Sequence, residues 1–81
     1  MNRCAVPVAP PSHLRRVFGG NVRAARRNIS LSQEELADRA QVHRTFIGAV
    51  ERAETNISLD NIGRISAALG LRASELLREQ D

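Results

Sequence analysis

The stretch that decides the fold of this chain is QEELADRAQVHRTFIGAVER, residues 33–52. Its apolar residues fall in two short runs with helical spacing, separated by about three residues. Two such runs joined by a short turn predict a helix-turn-helix. Ala37 is small enough to let the two helices cross closely, and Val42 lies in the turn, where its side chain can fill the gap between them.

A longer helix is predicted before this motif and two more helices after it. The first spans roughly residues 14–27 and has one apolar face, made by Leu14, Phe18, Val22 and Ala25. The fourth begins after Ser58 and ends at Gly70, with an apolar face made by Leu59, Ile62, Ile65 and Leu69. A fifth, short helix starts near Ser74.

The sequence therefore predicts an all-α, five-helix domain. We assign residues 13–81 to this domain and residues 1–12, which contain three prolines, to a disordered tail. Apolar alternation at period two never persists, so no strand is expected. Ser32 and Glu35 have the spacing of a capping box, which predicts where the second helix begins.

Length and composition limit what such a domain can be. The 81 residues suffice for one domain with a thin core, which argues against a deep catalytic cleft. Aromatic residues make up only 2% of the chain, so the core must be aliphatic.

Charge is distributed unevenly along the chain. The net charge is +3, and residues 1–31 contain six arginines and no acid, whereas residues 32–81 contain six arginines and nine acids. A basic amino-terminal third suits an anionic partner, either nucleic acid or a membrane surface. A solvated basic helix face is the alternative explanation.

Several kinds of site are not expected. Cys4 is the only cysteine, and with His13 and His43 it offers three widely spaced ligands, whereas structural zinc sites use four in close pairs. No apolar run approaches the ~20 residues that span a bilayer, and no signal-peptide core is present, so we expect a cytoplasmic protein. No catalytic or cofactor-binding spacing is present, so we expect no enzyme activity, no catalytic residue, no cofactor, no metal and no small-molecule ligand.

At these residues the chain resembles the lambda-repressor-like, XRE-type helix-turn-helix regulators. The resemblance covers residues 14–77 and is carried by LSQEELA at 31–37, Ala40, Val42, Ile47, VER at 50–52, ISL at 57–59, Ile62 and ALGL at 68–71. It implies a transcriptional regulator that binds a pseudo-palindromic operator in double-stranded DNA as a homodimer. The ninth residue of the motif is usually Gly in this family, because the turn backbone is left-handed there, and in this chain it is Gln41.

A narrower similarity is carried by RTFI at 44–47, followed by Glu51-Arg52 and Asn56-Ile57-Ser58. This pattern is similar to that of controller proteins of restriction–modification systems, which share the compact single-domain length. The same fold also serves antitoxin-type protein-interaction modules. A stable complex with the product of a neighbouring gene would favour that alternative.

The resemblance implies a role for each exposed residue of the motif. With the third helix in the major groove, we expect base contacts from Arg44, Thr45, Gly48 and Ala49. We expect phosphate contacts from Ser32, Gln33, His43, Arg52 and Asn56. The family pairs an Arg late in the first helix with the Glu that ends the recognition helix, which implies a structural ion pair between Arg26 and Glu51. Pairing through carboxy-terminal helices implies a dimer interface at Leu71, Leu76 and Leu77.

Overall fold

The first helix, α1, begins at Pro11, the last proline of the chain. The structure, a computed structural model, describes residues 10–79. Proline suits the first helical position because its fixed φ matches the helix and its missing N–H has no intrahelical partner there. Residues 11 and 12 therefore belong to α1, and the predicted tail boundary at residue 12 is wrong. Pro10 is the extended residue that precedes α1, and residues 1–9 of that tail, with Cys4, lie outside the described residues.

The described residues contain five helices joined by short turns and loops, and no strand. This confirms the predicted all-α class. The helices are α1 (Pro11–Asn28), α2 (Gln33–Ala40), α3 (Arg44–Glu51), α4 (Leu59–Leu69) and α5 (Ala73–Leu76). Helices α2 and α3 pack against each other, α4 packs on α2, and α1 lies across α3.

Side-chain caps set where the shorter helices begin. The Ser32 hydroxyl accepts a hydrogen bond from the Glu35 backbone N–H at 3.0 Å, and the Glu35 carboxylate accepts one from the Ser32 N–H at 2.8 Å, which completes the capping box. At the start of α4, the Ser58 hydroxyl accepts a hydrogen bond from the Asn61 backbone N–H at 3.1 Å, without a reciprocal bond. Gly70 ends α4 with φ of 72°, a left-handed conformation that glycine adopts without a steric penalty.

The core is aliphatic apart from Phe18, and it is assembled from all five helices. Its buried apolar residues are Phe18, Val22, Leu31, Leu36, Ala37, Ala40, Ile47, Val50, Ile62, Ile65, Leu69 and Leu76. Three predicted inner-face residues are not among them: Ala25 is only partly buried, Leu14 is 47% exposed and Leu59 is 82% exposed. The last two differ most from the prediction. Each lies in the first turns of its helix, beyond the region where a neighbouring helix covers that face.

The contact between α1 and α3 depends on a glycine. A Cβ added at Gly19 would lie 2.3 Å from the carbonyl oxygen of Val50 and 3.2 Å from that of Glu51. No side chain fits there, so Gly19 lets α1 approach the end of α3. Its neighbour Gly20 is exposed, and a Cβ added there would have no atom of the described residues within 4 Å.

The carboxy-terminal segment is fastened to α1. Asn21 donates two hydrogen bonds from Nδ2, to the carbonyl oxygens of Leu76 at 2.8 Å and Arg78 at 2.9 Å. This places the Leu76 side chain in the core, where it is 1% exposed. The predicted role of Leu76 in a dimer interface is therefore wrong, because the monomer already covers it. Leu71 and Leu77 are half-buried.

Candidate nucleic-acid interface

The exposed side of α3 contains a polar cleft of about 250 Å³. Four predicted DNA-contact residues line it around Gly48, namely Gln33, Arg44, Thr45 and Arg52. Gln33 comes from the first turn of α2, and the other three come from α3 and its C-cap. The helix-turn-helix thus gathers onto one surface residues that lie far apart in its sequence.

Gly48 forms the floor of this cleft. A Cβ added there would lie 3.1 Å from Nη1 of Arg52 and 3.7 Å from Oε1 of Gln33. Gly48 is itself buried. The predicted direct base contact from Gly48 is corrected on that ground, because the side chains of Arg52 and Gln33 cover it. Its missing side chain instead makes room for these two groups.

The turn between α2 and α3 has the expected left-handed backbone. Gln41 adopts φ 59° and ψ 43°, although it is not glycine. Its N–H bonds to the Asp38 carbonyl, and the next N–H, that of Val42, bonds to the Ala37 carbonyl at 3.0 Å. These bonds stop α2 and fix the angle at which α3 leaves the turn.

The ion pair expected between Arg26 and Glu51 is present beneath the cleft. Arg26 donates from Nε to Oε2 of Glu51 at 2.7 Å and from Nη2 to Oε1 at 3.0 Å, a bidentate arrangement. The side chains are 10% and 3% exposed. Arg26 also donates from Nη1 to the Leu31 carbonyl at 2.8 Å, which ties the α1–α2 turn to the pair.

Gln33 joins the same network. Its Nε2 donates to Oε1 of Glu51 at 3.0 Å, so one amide hydrogen is engaged inside the protein and one remains for a ligand. Because an ionised carboxylate only accepts hydrogen bonds, Glu51 orients this amide and turns Oε1 of Gln33 towards Gly48. The prediction for Gln33 from sequence did not include this contact.

Burial and hydrogen bonding act on the Glu51 carboxyl in opposite directions. Burial raises its pKa, but the hydrogen bonds from Arg26 and Gln33 and the charges of Arg26 and Arg23 together lower it by a larger amount. The net pKa therefore lies below the ordinary value. The hydrogen bond to Glu51 raises the pKa of Arg26. Both groups therefore stay charged at neutral pH.

Two of the predicted phosphate contacts also serve as helix caps. Nδ1 of His43 accepts a hydrogen bond from the Thr45 backbone N–H at 3.2 Å, which leaves the other ring nitrogen exposed. Ser32 uses its hydroxyl in the capping box of α2. Ala49 is half-buried on α3, so only part of its methyl surface faces outward.

Beyond α3, two predicted contact residues have partners in the protein. Nε of Arg52 donates to Oε1 of Glu54 at 3.0 Å, in an exposed ion pair. Oδ1 of Asn56 accepts a hydrogen bond from Nη1 of Arg15 at 3.1 Å. Sequence reasoning did not identify Arg15 as part of this surface, because nothing in the spacing of α1 indicates a contact 41 residues away.

Within residues 10–79 no group of three His, Cys, Asp or Glu residues is placed to hold a metal ion. No helix in that range is both long and apolar enough to cross a membrane.

A surface-exposed helix that follows a tight left-handed turn, with an arginine-lined cleft along it, defines a helix-turn-helix DNA-binding protein. Comparisons with known proteins agree. Residues 22–76 match the family model described as helix-turn-helix. The control protein C.BamHI of Bacillus amyloliquefaciens is 46% identical over 67 residues, which cover 82% of this chain and 83% of that protein.

Two solved structures are similar in both sequence and fold. The restriction-modification controller protein C.AhdI from Aeromonas hydrophila has a TM-score of 0.75 and 39% identity, covering 76% of this chain and 94% of that one. The hypothetical transcription factor from Neisseria has a TM-score of 0.79 and 44% identity, covering 90% and 86%. The chain belongs to the helix-turn-helix family and is a DNA-binding transcriptional regulator.

Proposed function

We propose that this chain binds a pseudo-palindromic operator as a homodimer, with α3 of each protomer in the major groove, and so controls the genes of a restriction–modification system. The observation that carries the proposal is the cleft on the exposed side of α3, where Arg44, Thr45, Arg52 and Gln33 converge. A major groove about 12 Å wide admits one helix, and its base edges then face these groups.

Arg44 and Thr45 are the proposed readers of base edges. Both are exposed and lie in the first turn of α3, which is the part of a recognition helix that enters the groove. The Arg44 guanidinium can donate two parallel hydrogen bonds to O6 and N7 of guanine. Thr45 offers a hydroxyl to a base or a methyl group to thymine. The half-buried methyl of Ala49 leaves space for the approach of a base pair.

The proposed phosphate contacts surround these readers. Gln33 has one amide hydrogen left after its bond to Glu51, and it lies in the first turn of α2, where backbone N–H groups attract anions. Three other exposed residues cap these helices: Ser32 precedes α2, His43 precedes α3 and Arg52 follows α3. Asn56 is also exposed and lies in the loop between α3 and α4. Such contacts fix the position on DNA without reading sequence.

The regulatory target is supported by the relatives. C.BamHI is described as a control protein, and C.AhdI as a restriction-modification controller protein. For this chain we propose the same kind of target, in the cytoplasm. Binding to DNA upstream of its own gene and of an adjacent methyltransferase or nuclease gene would support the proposal, and binding to neither would argue against it.

The experiment that tests DNA reading is a titration of Arg44→Ala and Gln33→Ala against a site library at two salt concentrations. Arg44→Ala should lose about 1–3 kcal/mol on the best site and little on sites with the wrong base, which flattens discrimination at one base pair of each half-site. Gln33→Ala should weaken all sites by similar factors. Because Gln33 is uncharged, the salt slope should change little.

A matched control for the removed charge is Arg39→Ala, an exposed arginine on α2 outside the cleft. It should leave base discrimination unchanged. If Arg44→Ala instead weakens every sequence equally, Arg44 is a phosphate contact and the reading surface lies elsewhere on α3. If no library member is preferred by the unmodified chain, the proposed function itself fails.

A further inference from the structure

The outer side of α1 carries arginines that none of the contacts above uses. Arg16, Arg23 and Arg27 are exposed and lie seven and four residues apart, so they share one side of the helix. We call these three residues the arginine stripe. At 1.5 Å per residue it extends roughly 16 Å along α1.

No residue of the arginine stripe forms an ion pair within the part of the chain that the structure describes. Helix α1 contains no Asp or Glu. The ion pairs formed among residues 10–79 involve Arg26, Arg52 and His13, and none of them uses a residue of the stripe. Three guanidinium groups on one side of a helix create a positive potential there, which attracts a polyanion.

Arg23, the middle residue of the stripe, lies on the edge of α1 that packs against the end of α3. Gly19 on α1 faces the Val50 carbonyl, and Arg26 binds Glu51. Arg23 follows Gly19 by four residues and precedes Arg26 by three, so it lies on the same edge of α1. Arg23 also acts electrostatically on Glu51. Burial raises the pKa of the Glu51 carboxyl, and the positive charge of Arg23 is one of the causes that lower it.

We infer that Arg16, Arg23 and Arg27 bind phosphates of duplex DNA that flank the base pairs read by α3. The inference rests on the proposed function, because α1 packs against α3 and Arg23 acts on Glu51, next to the cleft residue Arg52. Arginine suits this ligand because its planar guanidinium donates two parallel hydrogen bonds to a phosphate. These contacts carry no sequence information, so they lengthen the DNA segment that is held without changing the site that is read.

The test compares a stripe variant with a variant of equal charge. The stripe variant is R16Q/R23Q/R27Q, and the matched control replaces three exposed arginines outside α1 and the cleft, as R39Q/R64Q/R72Q. Thermal melts check that both variants fold. We expect melting temperatures close to that of the unmodified chain, because exposed substitutions of this kind change stability little. Binding is measured over a range of salt concentrations, on duplexes that carry the selected site with short or long flanks and on a long duplex of unrelated sequence.

The unmodified chain and the control should bind more tightly as the flanks lengthen, and the stripe variant should not. The salt slope on long duplexes should fall by about 0.9 for each phosphate that an arginine no longer neutralises, or about 2.7 for each stripe-variant protomer bound. Base preference should stay the same in both variants. Absence of that preference in the unmodified chain would instead count against the proposed function.

Two results would overturn the inference. One is an equal salt slope and equal flank dependence for the stripe variant and the unmodified chain, which would mean that the stripe does not touch DNA. An acidic protein partner would then be the alternative. The other is an equal fall in both variants, which would mean that only net charge matters. The unrelated duplex keeps the measurement informative even if no specific site is found.

Discussion

Arg26 on α1 and Glu51 at the end of α3 face each other through two hydrogen bonds of 2.7 and 3.0 Å. Gln33 on α2 donates to the same carboxylate. Three helices therefore meet at one buried charge. Because Gln33 also lines the cleft, this pair determines the orientation of a residue on the proposed DNA surface as well as the packing of the domain.

Removing one partner of this pair should destabilise the fold strongly. Glu51→Ala leaves the Arg26 guanidinium buried without a counter-charge, which we expect to cost about 3–5 kcal/mol of unfolding free energy. Urea denaturation followed by circular dichroism measures this. The exposed pair of Arg52 and Glu54 provides the control, because Glu54→Ala should cost no more than about 1 kcal/mol. Equal destabilisation of the two variants would show that burial of the first pair has no energetic effect.

The same carboxylate should make stability depend on pH in the acid range. The pKa of Glu51 in the folded chain lies below its ordinary value of 4.5, so the unfolded chain takes up this proton first as the pH falls. The stabilisation is therefore complete well above pH 4.5 and is lost as the pH falls below it towards the folded pKa. We expect the difference in unfolding free energy between the unmodified chain and Glu51→Gln to shrink below that pH. A difference that stays constant from about pH 7 to about pH 3 would contradict this.

Two adjacent glycines of α1 should respond in opposite directions to the same substitution. Gly19→Ala places a methyl group against the Val50 carbonyl and should destabilise the chain by about 1–3 kcal/mol. Gly20→Ala meets nothing and should stabilise it by about 0.5–1 kcal/mol, because alanine favours the helix. Thermal melts of the two variants check this. A stabilised Gly19→Ala would mean that α1 does not approach α3 as closely as described.

The left-handed turn residue should be open to improvement. Gln41→Gly removes the steric cost of a left-handed side chain, part of which is offset by the greater freedom of glycine when unfolded, for a net gain of about 0.5–1 kcal/mol. Gly70→Ala imposes that cost at the end of α4 and should lose about 1 kcal/mol. Denaturant midpoints of the two variants should therefore move in opposite directions, and a shift of both in the same direction would argue against this account.

The proposed dimer predicts a species of twice the monomer mass in sedimentation at tens of micromolar. Leu77 is half-buried and, with Leu71, is one of the two expected interface residues that the monomer leaves partly exposed, so Leu77→Ser should shift the equilibrium towards monomer. The control is Leu59→Ser, which changes a more exposed leucine that we do not place in the interface. If the unmodified chain remains monomeric at these concentrations and on DNA, the dimer is ruled out.

The local features of the fold were predictable because each depends on residues that lie close together in the sequence. Ser32 with Glu35 marks a capping box, and Gly70 marks a helix end. The left-handed turn at Gln41 followed from the family pattern, as did the pair between Arg26 and Glu51. In each case the determining interaction is either local or carried over from related chains.

Features that depend on the neighbouring helix were not predictable. Leu59 continues the apolar face of α4 but is 82% exposed. Leu76 has the apolar character of an interface residue but is buried where α5 packs against α1 and α4. Gly19 has the weak helix propensity of any glycine, and only the position of the Val50 carbonyl reveals why it is there. Periodicity indicates which side of a helix is apolar, but it does not indicate how far that side is covered.

Helix α3 separates two sets of residues cleanly. Ile47, Val50 and Glu51 point into the domain, whereas Arg44 and Thr45 are exposed. Within residues 10–79, neither the Arg44 nor the Thr45 side chain forms a hydrogen bond, and the bond from Thr45 to the helix cap uses its backbone N–H. Positions 44 and 45 can therefore be randomised together without disturbing the packing of the domain. If these two residues contact base edges as proposed, a library at positions 44 and 45 is a route to regulators with new operators on an unchanged scaffold.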